Sequence, residues 1–367
     1  MNILILNPIL FSSNKSEIPL VGSIKDTMIY SMCIGFLKSG HQVTLVAAEE
    51  FKPVVNENYE FTVIFIKSVL KKIFQPNYLP FQPKLYTFLK KEAKNYDYIV
   101  SSENFSLPSL FAAVICPQKT IIWQEMNVHQ KKWRKIPSKV WHNFVTQLFM
   151  RRIRIVIPRS DSAYNFVRKY FKNVSSEVVD HGVNLENFYP VKTKKRQFIV
   201  VSQLISRKNI DSIIEKFYQL ITNSEFSDFI LIIAGKGELE NKLKQQVGQL
   251  KIENNVFFAG FIPHQELNTL VANSMAMLID TKQDLNMVSI PESIASGTPV
   301  VTNMIPASAA YITKNQLGIA KANWNDSDLK EIIINNSLYV TNCIMYRERL
   351  TNVYLAKKII EIAHKKK

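Results

Sequence analysis

The sequence predicts an α/β chain of two domains, each a parallel sheet covered by helices on both faces. Three observations carry that expectation. Short β-rich runs alternate with helix-period segments along nearly all of the 367 residues, as in parallel strands joined by helical crossovers. The alternation runs once through residues 2–171 and starts again at Gln197. A chain of this length also exceeds one ordinary core and suits two of about 180 residues each.

The first series opens on Ile3-Leu4-Ile5-Leu6, a continuous apolar run stopped by Asn7-Pro8, which reads as a buried strand at 2–6 and not as a leader peptide. A helix at 23–39 follows and ends at Ser39-Gly40. Further strands are expected at 42–46, 62–66, 98–101, 120–123 and 153–157, and further helices at about 80–94, 105–115, 138–150 and 159–171. The second series places strands at 197–201, 228–234, 255–258, 276–279 and 299–302, with helices at about 208–222, 238–249, 263–271 and 289–296. Two such series predict two Rossmann-like domains facing a central cleft, with ligands at the carboxyl ends of the strands. The expected division is 1–186, a polar linker at 187–196, a second domain at 197–345, and a final helix with a basic tail at 346–367 that packs back on the first domain.

A 47% apolar, 21% charged composition belongs to a folded protein. Cys33, Cys116 and Cys343 form no CxxC pair, so neither a zinc site nor a disulfide framework is expected and a reducing cytoplasm fits. No run of about 18 apolar residues suggests a spanning helix. The net charge of +16 is uneven: Lys131 to Lys172 holds twelve cations and one acid, Asp161. Trp133, Trp141, Phe144, Leu148, Phe149 and Ile153 are interleaved with those cations. That pattern suits either a solvated basic face or a helix lying on an anionic membrane surface, with Phe74 to Lys91 extending it. No helix-turn-helix, RRM or KH signature accompanies the charge, so nucleic acid is not an expected partner.

The richest stretch is Asp284 to Val301, which sets two carboxylates eight residues apart around a loop-to-helix junction. Ser289-Ile290-Pro291-Glu292 begins a helix that Gly297 stops. Two readings stand at this point. Ser289 and Glu292 form a capping box, or the helix start offers amides to a phosphate and carboxylates to a polyol.

Upstream motifs bear on the choice. Val201-Ser202-Gln203-Leu204-Ile205-Ser206-Arg207-Lys208-Asn209, then Ile232-Ile233-Ala234-Gly235-Lys236-Gly237-Glu238, then Asn255-Val256-Phe257-Phe258-Ala259-Gly260-Phe261-Ile262 precede the acid pair in order. Together they resemble the C-terminal domain of the retaining glycosyltransferase family 4, of GT-B fold, whose two glutamates with seven residues between fall on Asp284 and Glu292. Gly22 before a helix ending in Gly40-His41, and Asp180-His181-Gly182-Val183-Asn184, are similar to the family's first domain and hand-over segment. Two departures stand out. The acidic loop reads Asp284-Leu285-Asn286-Met287 without its usual glycines, and Ser202-Gln203 replaces a Gly-Arg pair.

The resemblance implies a nucleotide-sugar-dependent hexosyltransferase of polysaccharide, capsule or glycolipid biosynthesis, acting on a lipid-linked or polysaccharide acceptor. Localisation would be cytoplasmic, peripheral at the inner membrane face. Lys208 and Arg207 would meet the diphosphate, Glu292 the ribose, and Asp284 the donor sugar. Gly237, Phe261, Ile262, Asn286, Met287, Val288 and Ser289 would line the donor. His129, just past the strand at 120–123, is the first domain's candidate for the donor sugar. His129, Lys208 and Asp284 are thus the catalytic candidates, and Gly22 and Glu103 the acceptor ones. Asp326-Ser327-Asp328 has the DxD form of metal-binding transferases, but its setting reads as a helix cap, and no metal or other cofactor is expected. A GT-B-fold protein that binds nucleotide sugars without turnover is the alternative.

Overall fold

The computed structural model describes residues 1–10, 21–25, 27–130, 134–283 and 287–365. They divide into two units, Met1–Gly182 with Asn352–Lys367 and Val183–Thr351. The segment 187–196, expected as a linker, lies inside the second unit, where Phe188 is buried in the core.

In the first unit the strands are β1 (Asn2–Leu6), β2 (Gln42–Ala48), β3 (Thr62–Ile66), β4 (Tyr98–Ser102), β5 (Thr120–Gln124) and β6 (Ile155–Pro158). All pair in parallel in the order β3-β2-β1-β4-β5-β6. Ile3 and Ile5 face one helix layer and Leu4 and Leu6 the other, each residue essentially inaccessible. That two-sided burial is why the strand is apolar without alternation. The helices are α1 (Met28–Lys38), α2 (Pro83–Glu92), α3 (Leu107–Ile115), α4 (Lys135–Val140) and α5 (Asp161–Val167). Thr27 caps α1 through its side chain, and Ser160 caps α5.

The helix expected at 138–150 begins earlier, at Lys135, and continues from Trp141 to Met150 with wide i→i+5 turns. Besides Trp141, its buried residues Ser138, His142, Thr146 and Met150 recur every fourth position. In an ideal α-helix that spacing drifts by roughly 40° per step. In turns wider than four residues the drift changes sign, so the α-helical start and the wide turns that follow offset each other, and the row stays against α3 and the loop that precedes it.

The second unit repeats the plan with β7 (Lys195–Val201), β8 (Ile230–Ala234), β9 (Val256–Gly260), β10 (Ser274–Leu278), β11 (Val300–Thr302) and β12 (Gly318–Ala320). Their order is β12-β11-β10-β7-β8-β9, again all parallel. The helices are α6 (Ile210–Ile221), α7 (Glu240–Leu250), α8 (His264–Asn273), α9 (Ser289–Ala295), α10 (Ala309–Lys314), α11 (Asp326–Ile334) and α12 (Asn336–Tyr346). On α6, Ile210, Ile213, Ile214, Phe217, Leu220 and Ile221 form one buried stripe, with Asp211 in the first turn. Phe217 packs edge-on to Phe198, which stacks on Phe229. Burial of each such ring contributes about 1.5–3 kcal/mol.

The last helix, α13 (Asn352–Lys365), belongs to the first unit and packs on α1. Contact is close because Gly35 has no side chain: a Cβ there would sit 2.4 Å from the Asn352 carbonyl oxygen. Arg154 also donates its Nε–H to the Ala363 carbonyl at 2.7 Å.

Of the two readings of the α9 start, the capping box does not hold. The residue preceding α9 is Val288, in helical conformation and without a side-chain cap, so Ser289 and Glu292 form no capping box. The box is at α11, where Asn325 accepts from the Ser327 amide and Asp328 reaches back to the Asn325 amide. Its pattern Asn-x-x-Asp lacks the Ser/Thr and Glu/Gln that the motif usually shows.

Candidate functional site

The chain order of the second sheet reverses between β7 and β10, and the loops leaving their carboxyl ends flank that switch point. The loop after β7 is fixed from two sides. Leu204 donates its amide to the Lys236 carbonyl and accepts from the Leu239 amide, both at 3.0 Å. Gly235 and Gly237 permit this approach, since a Cβ at either would lie 1.8 and 2.3 Å from the carbonyl oxygens of Ser202 and Leu204. Gly237 therefore serves close backbone packing between two loops.

From the other side, the Arg207 carbonyl accepts from the Lys282 amide at 2.8 Å and the Thr281 hydroxyl at 3.1 Å. Asp280, 7% exposed, anchors the arrangement. One of its carboxylate oxygens accepts from Lys216 at 2.7 Å, Ser212 at 2.8 Å and Asn209 at 3.2 Å, and the other from Asn303 at 3.0 Å. Lys216 also lies over the Trp324 ring, whose N–H reaches the Ile279 carbonyl. Asn209 holds a left-handed backbone, φ 52°, between the tight turn Ser206–Lys208 and α6, a conformation that asparagine tolerates better than most residues. Sequence reasoning missed this hub. The available signal was an acid directly after the apolar run 276–279.

Arg207 and Lys208 thus sit side by side, partly buried, on a loop braced at both ends. Burial, and secondly the Arg207 charge, lower the Lys208 amine to about 8. Glu292 is on the first turn of α9, partly buried, and its amide bonds the Val288 carbonyl. Met287 is buried in the core while Val288 is half exposed. Ser289 is partly buried at the start of α9, Phe261 is 73% exposed after β9, and Ile262 packs on the core edge. Asp284 and Asn286 lie outside the described residues. Of the DxD triplet, Asp328 is spent on the α11 cap and an ion pair with Lys321, and Asp326 pairs with Lys330.

In the first unit, Glu103 follows β4 in a left-handed conformation, φ 66°. Its carboxylate accepts from the amides of Glu125 and Met126 at 2.7 and 3.2 Å and from Gln124 Nε2 at 2.9 Å, fixing the loop after β5. Burial, then the neighbouring Glu125 charge, push its pKa up to about 7. Beyond it stands Arg159, 6% exposed, at the end of β6 and over the Trp123 ring. It pairs with Glu125, with Asp180 at 3.2 Å and with His181 Nδ1 at 3.0 Å. Burial opposes ionisation of Asp180, yet His181 and Arg159 hold its carboxyl down at about 2. Arg159 was not singled out from sequence.

His129 is placed differently from the expectation. Its Nδ1 meets the Ser138 hydroxyl at 3.2 Å and its Nε2 the Tyr170 hydroxyl at 3.0 Å. His142 and Phe166 pack edge-on against the ring, and burial lowers its pKa. With both nitrogens engaged, the imidazole is a packing element of the first unit. Gly22 is exposed, and among the described residues nothing lies within 4 Å of where its Cβ would stand. Lys208, Arg207 and Glu292 lie in one unit, while His129, Glu103 and Gly22 belong to the other.

Residues 184–336 match the family of glycosyl transferases, group 1. The O-antigen chain mannosyltransferase RfbU of Salmonella typhimurium is 25% identical over 183 residues, 49% of this chain and 50% of that one. The matched segment thus spans about half that relative's length. The UDP-Gal:alpha-D-GlcNAc-diphosphoundecaprenol alpha-1,3-galactosyltransferase of Escherichia coli is 22% identical over 321 residues, 78% of this chain and 82% of its own. Among solved structures, the Anabaena protein HepE in complex with UDP superimposes with a TM-score of 0.65 over 100% of both chains at 14% identity. That likeness is one of fold, the α/β two-domain GT-B class predicted from sequence.

Proposed function

We propose that this chain, whose residues 184–336 match the glycosyl transferases of group 1, moves a sugar from a nucleotide-sugar donor to a lipid-linked or polysaccharide acceptor. The observation that carries the reading is the braced loop at the switch point of the second sheet. There the backbone that carries Arg207 and Lys208 is held by Thr281 and Lys282 on the Arg207 carbonyl and by the Asp280 hub on Asn209. Departure of a nucleoside diphosphate builds negative charge on the phosphate oxygens. Preorganised cations stabilise that charge at low reorganisation cost, and each charge-assisted hydrogen bond contributes about 1.5–3 kcal/mol.

Glu292, on the first turn of α9, takes the ribose hydroxyls, since one carboxylate accepts from two vicinal donors. Asp284 takes hydroxyls of the donor sugar. The reaction retains configuration, with attack and departure on one face of the ring. The two cations neutralise the leaving group, so the reaction is metal-independent. The two relatives, named for an O-antigen chain and for a diphosphoundecaprenol-linked sugar, support a lipid-linked acceptor; a capsule or related polysaccharide pathway at the inner face of the membrane is the setting we propose with it.

Ser202 and Gln203, and the glycine-free loop at 284–287, favour the second reading, a nucleotide-sugar binder without turnover. Release of nucleotide from nucleotide sugars in the presence of extracted membrane lipid separates the two. The donor assignment is tested by thermal shift with UDP, GDP, ADP and their sugars on the wild type and Glu292→Ala. One nucleotide should stabilise the wild type, and the variant should lose most of that shift. Equal stabilisation of both proteins sinks the assignment.

A further inference from the structure

We infer that the first unit carries a two-part surface that inserts into an anionic lipid bilayer, built from the helix at 135–150 and the turn at 69–73. The inference deepens the lipid-linked acceptor reading and rests on it for its purpose, though not for its geometry. Ile136, Val140, Phe144 and Leu148 recur every fourth residue on the face opposite the buried row, with exposures of 72, 49, 63 and 71%. Phe149 is exposed beside them. Four large apolar side chains aligned on one solvent face are far more than scattered surface hydrophobics.

The charge along this stretch of the chain is of one sign. Lys135 and Lys139 are exposed on the same helix and Arg151 and Arg152 directly after it, and no acid occurs in sequence between Glu125 and Asp161. An apolar stripe edged only by cations matches acyl chains below and anionic headgroups around it. A protein partner would need acids placed around an apolar centre. A second copy of this chain would bring like charges together.

The second part adjoins the first. Arg134 donates to Gln75 Oε1 at 2.8 Å and lies 3.7 Å from the Tyr78 ring centroid, which ties the helix start to the segment after β3. In that segment Leu70 and Ile73 are 57 and 71% exposed, next to Lys72 and to Lys71, which pairs with Glu50 at 2.8 Å. Leu70 has a left-handed backbone, φ 51°, which a bulky residue rarely adopts. The turn is held there by the Val69 amide bonding the Phe81 carbonyl at 2.9 Å and by the Phe74–Phe81 ring contact. The fold thus keeps an apolar side chain in water on a strained turn, where a polar residue would be expected. Insertion of that turn into a bilayer accounts for it.

Vesicle sedimentation tests the inference, using phosphatidylcholine alone and an equal mixture with phosphatidylglycerol. The wild type should pellet with the anionic vesicles and largely remain in solution with the neutral ones. Phe144→Ser with Leu148→Ser, and separately Leu70→Ser with Ile73→Ser, should weaken binding at least tenfold. Each of Lys139→Ser, Arg151→Ser and Arg152→Ser should weaken it about fivefold. All these side chains are exposed, so melting temperature and the nucleotide-induced thermal shift should be unchanged. Failure of the wild type to bind anionic vesicles, or undiminished binding by both apolar double variants, overturns the inference. So does a lipid-free dimer, seen by sedimentation velocity, that the apolar variants dissociate. If vesicle binding fails while the nucleotide shift persists, the docking surface is wrong and the donor assignment stands. The opposite result condemns the donor assignment alone.

Discussion

Raising the pH should weaken nucleotide-sugar binding through one amine. The Lys208 amine, lowered to about 8 by burial and by Arg207, is roughly nine-tenths protonated at pH 7 and one-tenth at pH 9. A bound diphosphate favours the charged form and raises that pKa, so binding above pH 8 takes up a proton and becomes weaker as pH rises. With the complex still protonated at pH 9, the dissociation constant should increase about tenfold between pH 7 and pH 9. Isothermal titration with the nucleotide sugar selected by the thermal-shift panel measures it, in buffers of different ionisation enthalpy to count the proton. Lys208→Arg stays charged throughout and should flatten the profile. Lys208→Met should bind about ten- to hundredfold more weakly at pH 7, the loss of one charge-assisted contact, and also show no pH dependence. A flat wild-type profile, or a slope that survives in Lys208→Met, refutes the placement of this amine on the diphosphate.

Three further outcomes are expected. Asp280→Ala leaves Lys216, whose side chain is 18% exposed, buried without its carboxylate, which should cost about 3–5 kcal/mol and lower the urea midpoint at unchanged slope; a loss below about 1 kcal/mol would show the hub to be dispensable. Gly237→Ala forces a Cβ to 2.3 Å from the Leu204 carbonyl, so stability should fall by about 1–3 kcal/mol and the nucleotide-induced thermal shift should shrink, while Gly22→Ala, with no described residue within 4 Å of the added Cβ, should change neither. Glu103, with a folded pKa of about 7 against about 4.3 unfolded, contributes stability that is full below the unfolded value and lost as pH rises through 7. Glu103→Gln cannot ionise, so its melting temperature relative to wild type should climb between pH 5 and pH 8.5, and parallel curves would contradict the raised pKa.

The two sheets were legible because their strands are buried on both faces. Strand β1 was read at its observed limits from Ile3 to Leu6 alone, and the second series was found because it repeats that pattern from Gln197. Strand β12, three residues at a sheet edge between α10 and α11, left too short a run to detect. The wide turns at 141–150 were illegible for another reason: they follow from the fit of a four-residue row to its neighbours, which no local propensity reports.

Site residues divided along similar lines. Arg207, Lys208 and Glu292 could be placed near a switch point because strand ends are legible, whereas Asp280 acts through Lys216, Ser212, Asn209 and Asn303, partners up to 71 residues away. The capping reading of Ser289 and Glu292 failed on backbone conformation, since Val288 is already helical. His129 was read as near a ligand from its distance along the chain, but Ser138 and Tyr170 engage both its nitrogens. Sequence offset locates an element and does not orient a ring.

The placement of α13 on α1 has a consequence for how the chain is made. The second unit is continuous, 183–351, and has all its residues as soon as that stretch is synthesised. The first unit is not. Ala356, Ile359, Ile360, Ile362 and Ala363 contribute to the core around Phe36 and Cys33, so that core remains open on one side until the final helix emerges. Although its strands are translated first, the first unit should be the later one to complete its folding, after closing contacts across more than 300 residues of sequence (Ser39 to Val353 spans 314), with the slow closure that such separation entails. Loss of a few residues from the last helix would then be felt at the start of the chain, in the stability of the domain built on β1.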